Sequence, residues 1–115
     1  MNLVAAQAVV DGQLLNEVTI EITHGNITAI GTDLAPDRRI EGVLLPGFVD
    51  IHCHGGGGHY FSDLSDAGIE KAIQSHSSHG TTSMLASLVT EPIENLLAQI
   101  KRLNNFVNKS AIRGI

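Results

Sequence analysis

Leu45-Pro46-Gly47-Phe48-Val49-Asp50-Ile51-His52-Cys53-His54-Gly55-Gly56-Gly57-Gly58 decides how the rest of the chain is read. Pro46-Gly47 is a break, and Phe48 to His54 is a mostly apolar run of strand length. Successive strand side chains point to opposite faces, so His52 and His54 look one way and Cys53 the other. The two histidine Cα atoms then lie roughly 6.5 Å apart. Both rings can lean onto one transition-metal ion, at about 2.0–2.1 Å per bond for zinc. Asp50 shares that face by the same parity, as an outer contact to the pair or as a structural group at the strand base. Cys53 reads as a core residue. Gly55 to Gly58 end the strand and let the backbone approach a metal or a ligand and take positive φ.

Neutral imidazoles hold a divalent ion while leaving it positive, and such an ion lowers the pKa of bound water from 15.7 to about 7. The pair His52 and His54 therefore reads as the metal site of a metal-dependent hydrolase. The other histidines have plainer readings. His24 sits in a turn, His59 in a surface loop, His76 on a half-buried helix face and His79 at a helix end. The glycine run lacks the spacing of a nucleotide-binding loop. Packing and capping account for the hydroxyls of Thr81-Thr82-Ser83.

Outward from the decisive stretch, the chain divides in two. Residues 1–47 read as β. Leu3 to Val10 is a first strand, and Asp11-Gly12 a turn. Val18 to Thr23 alternates at period 2, His24-Gly25-Asn26 turns, and Ile27 to Ile30 returns as a hairpin strand. Thr32 to Arg39 is loop-like, and Val43-Leu44-Leu45 resumes as strand. Residues 48–115 alternate strand and helix. Phe48 to His54 is a strand of the parallel kind, covered on both faces. Ser62 or Ser65 caps a helix to about Ser78, with Ile69, Ala72, Ile73 and His76 on one face and Gly80 closing it. Thr81 to Val89 is a second strand. Pro92 opens a second helix whose buried stripe is Ile93, Leu96, Leu97, Ile100, Leu103 and Val107, and Asn104, Asn105 and Asn108 fray its end. Ala111 to Ile115 starts a third strand. Such β-α-β-α-β order predicts a parallel α/β layer.

Composition excludes several classes. Seven Lys+Arg against twelve Asp+Glu, a net charge of −5, disfavour nucleic acid and anionic membrane as partners. The best apolar run is interrupted by Pro46 and Asp50 and is too short to span a bilayer. No basic residue precedes Leu3 to Val10, which reads as strand rather than signal peptide. One cysteine permits no internal disulfide, which fits a reducing cytoplasm. The 115 residues are 43% hydrophobic, enough for a core.

The approach Leu45-Pro46-Gly47-Phe48-Val49-Asp50, the His52-x-His54 pair and the glycines resemble the first barrel strand of the amidohydrolase superfamily. Gly55 to Gly58, His79-Gly80-Thr81-Thr82-Ser83 and Leu88-Val89-Thr90 resemble, within it, the N-acetylglucosamine-6-phosphate deacetylases. The N-terminal hairpin resembles the small β-sandwich that flanks their barrel. The resemblance covers nearly the whole chain. It implies an α/β fold: the first two βα units and the start of the third strand of an incomplete (β/α)8 barrel, after part of a β-sandwich. It implies one or two divalent ions (Zn, Fe or Mn), water activated with the help of an acidic residue, and a homo-oligomer. The reaction implied hydrolyses the acetamide of N-acetylglucosamine 6-phosphate to acetate and glucosamine 6-phosphate, in amino-sugar catabolism. This chain keeps both first-strand histidines, as in the members able to hold two metals.

The family's third strand ends in a "HLEGP" motif with a metal-binding Glu. Ile112-Arg113-Gly114-Ile115 resembles the approach to it. A closed barrel takes about 250 residues. The expectation is an N-terminal fragment of such an enzyme, inactive alone, with no catalytic or substrate-binding residue of the family assigned within it. The alternatives are another amidohydrolase, dihydroorotase-like or deaminase-like, and a non-catalytic truncated assembly fragment.

Overall fold

The computed structural model describes residues 1–31 and 35–115, in two compact units, Met1–Pro46 and Gly47–Ile115. The first unit is one sheet of β1 (Asn2–Val10), β2 (Gln13–Thr23), β3 (Asn26–Ile30) and β4 (Arg38–Leu44), in the order β3-β2-β1-β4. β1–β2 and β2–β3 are antiparallel, and β4 joins β1 in parallel. Both hairpins turn on two residues with positive φ: Asp11 and Gly12 at 50° and 76°, His24 and Gly25 at 50° and 78°. That backbone matches the strand twist, and glycine supplies its second half without strain.

The sheet buries Ala5, Ala8, Val18 and Ile20. Ala5 and Ala8 break period 2, and a register shift between Ala5 and Gln7 accounts for it. Arg39 binds Glu17 through both nitrogens of its fork, at 2.7 and 2.9 Å, and Glu41 at 2.7 Å. The loop expected over Thr32 to Arg39 is shorter than its reading, since β4 begins at Arg38. Its residues 32–34 lie outside the described residues.

The second unit runs β5 (Phe48–Cys53), β6 (Gly55–Gly56), β7 (His59–Tyr60), α1 (Asp66–Ser77), β8 (Thr81–Ala86), α2 (Ile93–Leu103) and β9 (Ile112–Gly114). β5, β8 and β9 form a parallel sheet in that order, with α1 and α2 as the crossovers. The core joins Cys53, Met84, Ala86 and Ile112 of the sheet to Ile69, Ala72 and Ile73 of α1, Leu103 of α2 and Phe61. Ser65 caps α1, its hydroxyl accepting from the Gly68 amide at 3.4 Å. Arg102 of α2 bonds Asp66 at the start of α1.

Three expectations are corrected here. The strand read as Phe48 to His54 stops at Cys53 and is not covered on both faces: Phe48, Val49 and Ile51 are exposed, Ile51 at 74%. β5 is the edge of its sheet, and α1 crosses toward β8, so cover reaches only its Cys53 end. β8 stops at Ala86 rather than Val89.

The stripe expected on α2 splits. Leu103 is buried and Leu96 half-buried, but Ile93, Leu97 and Ile100 are exposed, and Val107 lies beyond the helix, partly buried. The inward line is Leu96, Gln99 and Leu103, and it carries Gln99 to 5% exposure with no partner for its Oε1 among the described residues. The apolar arc of α2 is wider than its contact, and periodicity does not say which edge meets the core.

Candidate metal centre

His52 ends near the last bonded register of β5, and His54 follows its final residue, at the C-terminal end of the strand. The two rings converge. Nε2 of His54 lies 3.1 Å from Nε2 of His52, with ring centroids 4.8 Å apart and planes at 87°. Two nitrogens bonded at about 2.1 Å to one ion, roughly 95° apart, stand about this far from each other. Ser87, just past β8, lies with its Oγ 3.3 Å from Nδ1 of His52. An Nδ1–H donated to that hydroxyl leaves the Nε2 lone pair free to coordinate. The Ser87 amide donates to the Cys53 carbonyl at 2.7 Å, which holds it in place. The donor set and its geometry fit a divalent ion.

The backbone around the pair is pinned. The Phe61 amide donates to the His54 carbonyl at 2.8 Å, and Phe61 is fully buried. The His52 amide donates to Oδ1 of Asp50 at 3.0 Å.

Asp50 is not on the face that parity assigns it. β5 shifts register between Asp50 and Cys53, and its carboxylate gathers with Sγ of Cys53 and the ring of His76, all within 4.8 Å of one another. A bulge of this kind adds a residue to one strand and reverses parity beyond it. The three donors are a second group able to hold an ion, but they already have partners. The Nε2–H tautomer of His76 donates to the Gly55 carbonyl at 2.9 Å, and Cys53 Sγ lies 3.3 Å from that nitrogen. Burial pushes the Cys53 thiol up from its ordinary range, and the nearby Asp50 carboxylate adds to it. A thiol must lose its proton to bind metal, so this environment opposes it. The cluster ties α1 to the end of β5, behind the histidine pair.

The glycine run also differs from its reading. Gly55 and Gly56 form β6, pair with Tyr60 and His59 of β7, and lie on α1. A Cβ on Gly56 would stand 2.7 Å from Nε2 of His76, and one on Gly57 3.3 Å from the Lys71 carbonyl. The run is needed for close approach to a helix. Gly57 and Gly58 make the turn, at φ 60° and 82°. His59 is a strand residue rather than a loop residue, with Nδ1 3.2 Å from Oδ2 of Asp63. His76 is half-buried as expected, though its bonds to Gly55 and Cys53 were not. Its place on the apolar face of α1 was the available signal.

A cavity of about 460 Å³ opens beside the pair, lined by His54, Tyr60, Ser62, Ser87 and Val89. The sequence assigns none of Tyr60, Ser62 and Ser87 to a site: Ser62 reads there as a helix cap and Ser87 as a strand residue. They reach the cavity through the hairpin and the end of β8, which no local pattern marks.

The chain as a whole is similar to known proteins. A crystal structure of N-acetyl-D-glucosamine-6-phosphate deacetylase from Mycobacterium smegmatis is 37% identical, with a TM-score of 0.90, over 100% of this chain and 34% of that one. A mutant of that enzyme is also known in complex with N-acetyl-D-glucosamine-6-phosphate. An N-acetylgalactosamine-6-phosphate deacetylase of Shewanella sp. (strain ANA-3) is 28% identical over 102 residues, 81% of this chain and 26% of its own. The N-acetylglucosamine-6-phosphate deacetylase of Bacillus subtilis (strain 168) is 28% identical over 95 residues, 76% of this chain and 24% of its own. The chain thus spans about a third or less of the length of these relatives. The amidohydrolase family profile matches residues 43–109, more than half of the chain and both histidines of the pair, and the chain belongs to the amidohydrolase family.

Proposed function

We propose that this chain is the N-terminal part of a metal-dependent deacetylase that hydrolyses the acetamide of an N-acetylhexosamine 6-phosphate. The observation that carries it is the 3.1 Å convergence of the His52 and His54 rings beside a cavity, in a chain of the amidohydrolase family. In this reading His52 and His54 hold a divalent ion (Zn, Fe or Mn) through Nε2. A bound ion would supply Lewis acidity toward water and the amide carbonyl. Ser87 sets the His52 tautomer, and the Phe61 amide fixes the backbone of His54.

The run β5-α1-β8-α2-β9 reads as two βα units and the third strand of a (β/α)8 barrel, and the sheet of the first unit as part of a flanking β-sandwich. Support comes from the parallel order and from the likeness to the mycobacterial enzyme. Chemistry at the C-terminal end of a barrel strand is where such enzymes place it. A reducing cytoplasm fits the single buried cysteine. No helix among the described residues is long and apolar enough to cross a membrane.

The relatives named for the galactosamine epimer favour a second reading, the same hydrolysis on N-acetylgalactosamine 6-phosphate. Acetate release from both epimers, by the protein that the complete reading frame encodes, tests the proposal with Zn²⁺, Fe²⁺ or Mn²⁺ supplied. Turnover of one epimer supports it and selects between the readings. No release from either, with every ion, overturns it.

A further inference from the structure

We propose that Tyr60 is the platform on which the pyranose ring of the substrate stacks, holding its acetamide toward the His52 and His54 pair. The inference rests on the deacetylase reading and names a binding residue of that same site.

Tyr60 is 65% exposed, on the wall of the cavity that His54 also lines. Large aromatic side chains normally bury most of their surface, so one standing exposed on the wall of a cavity suits an occupant with an apolar face. About 460 Å³ lies within the range of roughly 300–1,000 Å³ typical of small-ligand sites. A pyranose has one face of axial C–H bonds, and that face lies well on an aromatic ring, while its hydroxyls need polar partners. Ser62 and Ser87 offer hydroxyls on the same wall, and Val89 an apolar surface suited to an acetyl methyl.

The backbone that carries Tyr60 is fixed relative to the histidine pair. Tyr60 stands across from Gly55, the residue after His54. Its amide donates to Oδ2 of Asp63 at 3.1 Å, and the same oxygen meets His59. The next residue, Phe61, is fully buried and bonds the His54 carbonyl. Beneath, the glycines seat the hairpin on α1. With the backbone fixed before binding, only the side-chain torsions of Tyr60 remain to be ordered when a ligand lands on it.

The test compares the complete metal-loaded protein with its Tyr60→Phe and Tyr60→Ala variants. Three measurements are made: initial rates on N-acetylglucosamine 6-phosphate, calorimetric binding of glucosamine 6-phosphate, and thermal melting. Tyr60→Phe keeps the ring and holds KM within about twofold. Tyr60→Ala raises KM and weakens glucosamine 6-phosphate binding about tenfold, roughly 1.4 kcal/mol. Metal content stays unchanged. Tyr60→Ala with unchanged KM and unchanged binding overturns the proposal, and a lowered melting temperature with it assigns Tyr60 to packing. If the wild type binds glucosamine 6-phosphate and Tyr60→Ala weakens it, but nothing is turned over, the platform stands and the deacetylase reading fails. Absence of both turnover and binding in the wild type overturns both.

Discussion

At the residue scale, the site depends on one irregular step in β5. Period 2 puts His52 and His54 on one side, and their rings meet at 3.1 Å. The same rule fails for Asp50, because the register shift before Cys53 carries its carboxylate to the His76 side. Pairing with β8 decides that shift, so it cannot be read from β5 alone. In the complete protein, His52→Ala and His54→Ala should each lower Zn²⁺ affinity at least about tenfold, as read by competition with a chromogenic chelator. Affinity unchanged in both would remove the metal assignment. His76→Ala should destabilise the protein by about 1–3 kcal/mol, because it strips the Gly55 carbonyl of its shorter donor and leaves it the weak Cys53 thiol at 3.7 Å. Urea unfolding measures it, and a midpoint equal to wild type would show that carbonyl to be satisfied otherwise.

At the element scale, the helices and hairpins lie close to their local signals. Ser65 caps α1, and Asp11-Gly12 and His24-Gly25 turn the hairpins, because short-range sterics and hydrogen bonds set these features. Ser65→Ala should cost about 1 kcal/mol in denaturant unfolding, with no change in metal binding. The faces of elements are another matter. The buried line of α2 runs through Gln99 and leaves Ile93 and Leu97 outside. Gln99→Leu removes a buried amide whose Oε1 has no partner, so it should raise stability by about 1 kcal/mol. A loss of similar size would mean that the amide has a partner in solution, such as water.

At the scale of the whole molecule, charge and apolar exposure set the behaviour. The hydrogen bond from Arg39 holds the Glu17 carboxyl below its ordinary value of 4.5, and the Arg39 charge adds to this. A depressed carboxyl favours the folded state above its unfolded value and loses that contribution as pH falls through the folded one. Glu17→Gln should therefore melt below wild type at pH 7 and converge with it as pH falls below the depressed value of the carboxyl. The gap should shrink in high salt, since the pair is exposed. Val49, Ile51, Ile93 and Leu97 are also exposed. The 115-residue chain alone should self-associate in light scattering, and Ile51→Lys with Leu97→Glu should reduce it. A monodisperse monomer of the unsubstituted chain would defeat this expectation.

The sequence by itself determined the alternation of strand and helix, the turns, the cap of α1 to one of two serines, and the shared face of His52 and His54. Each depends on residues within a few positions of one another. Only the tertiary structure decided the destination of Asp50, the use of the glycines against α1, the inward face of α2, and the meeting of Tyr60 and Ser87 with His54. These depend on which neighbour an element pairs with and on how much of its surface that neighbour covers. The decisive stretch, Leu45 to Gly58, thus carries the convergence of its two histidines in its own spacing, while the cavity beside it is made by residues that packing brings there.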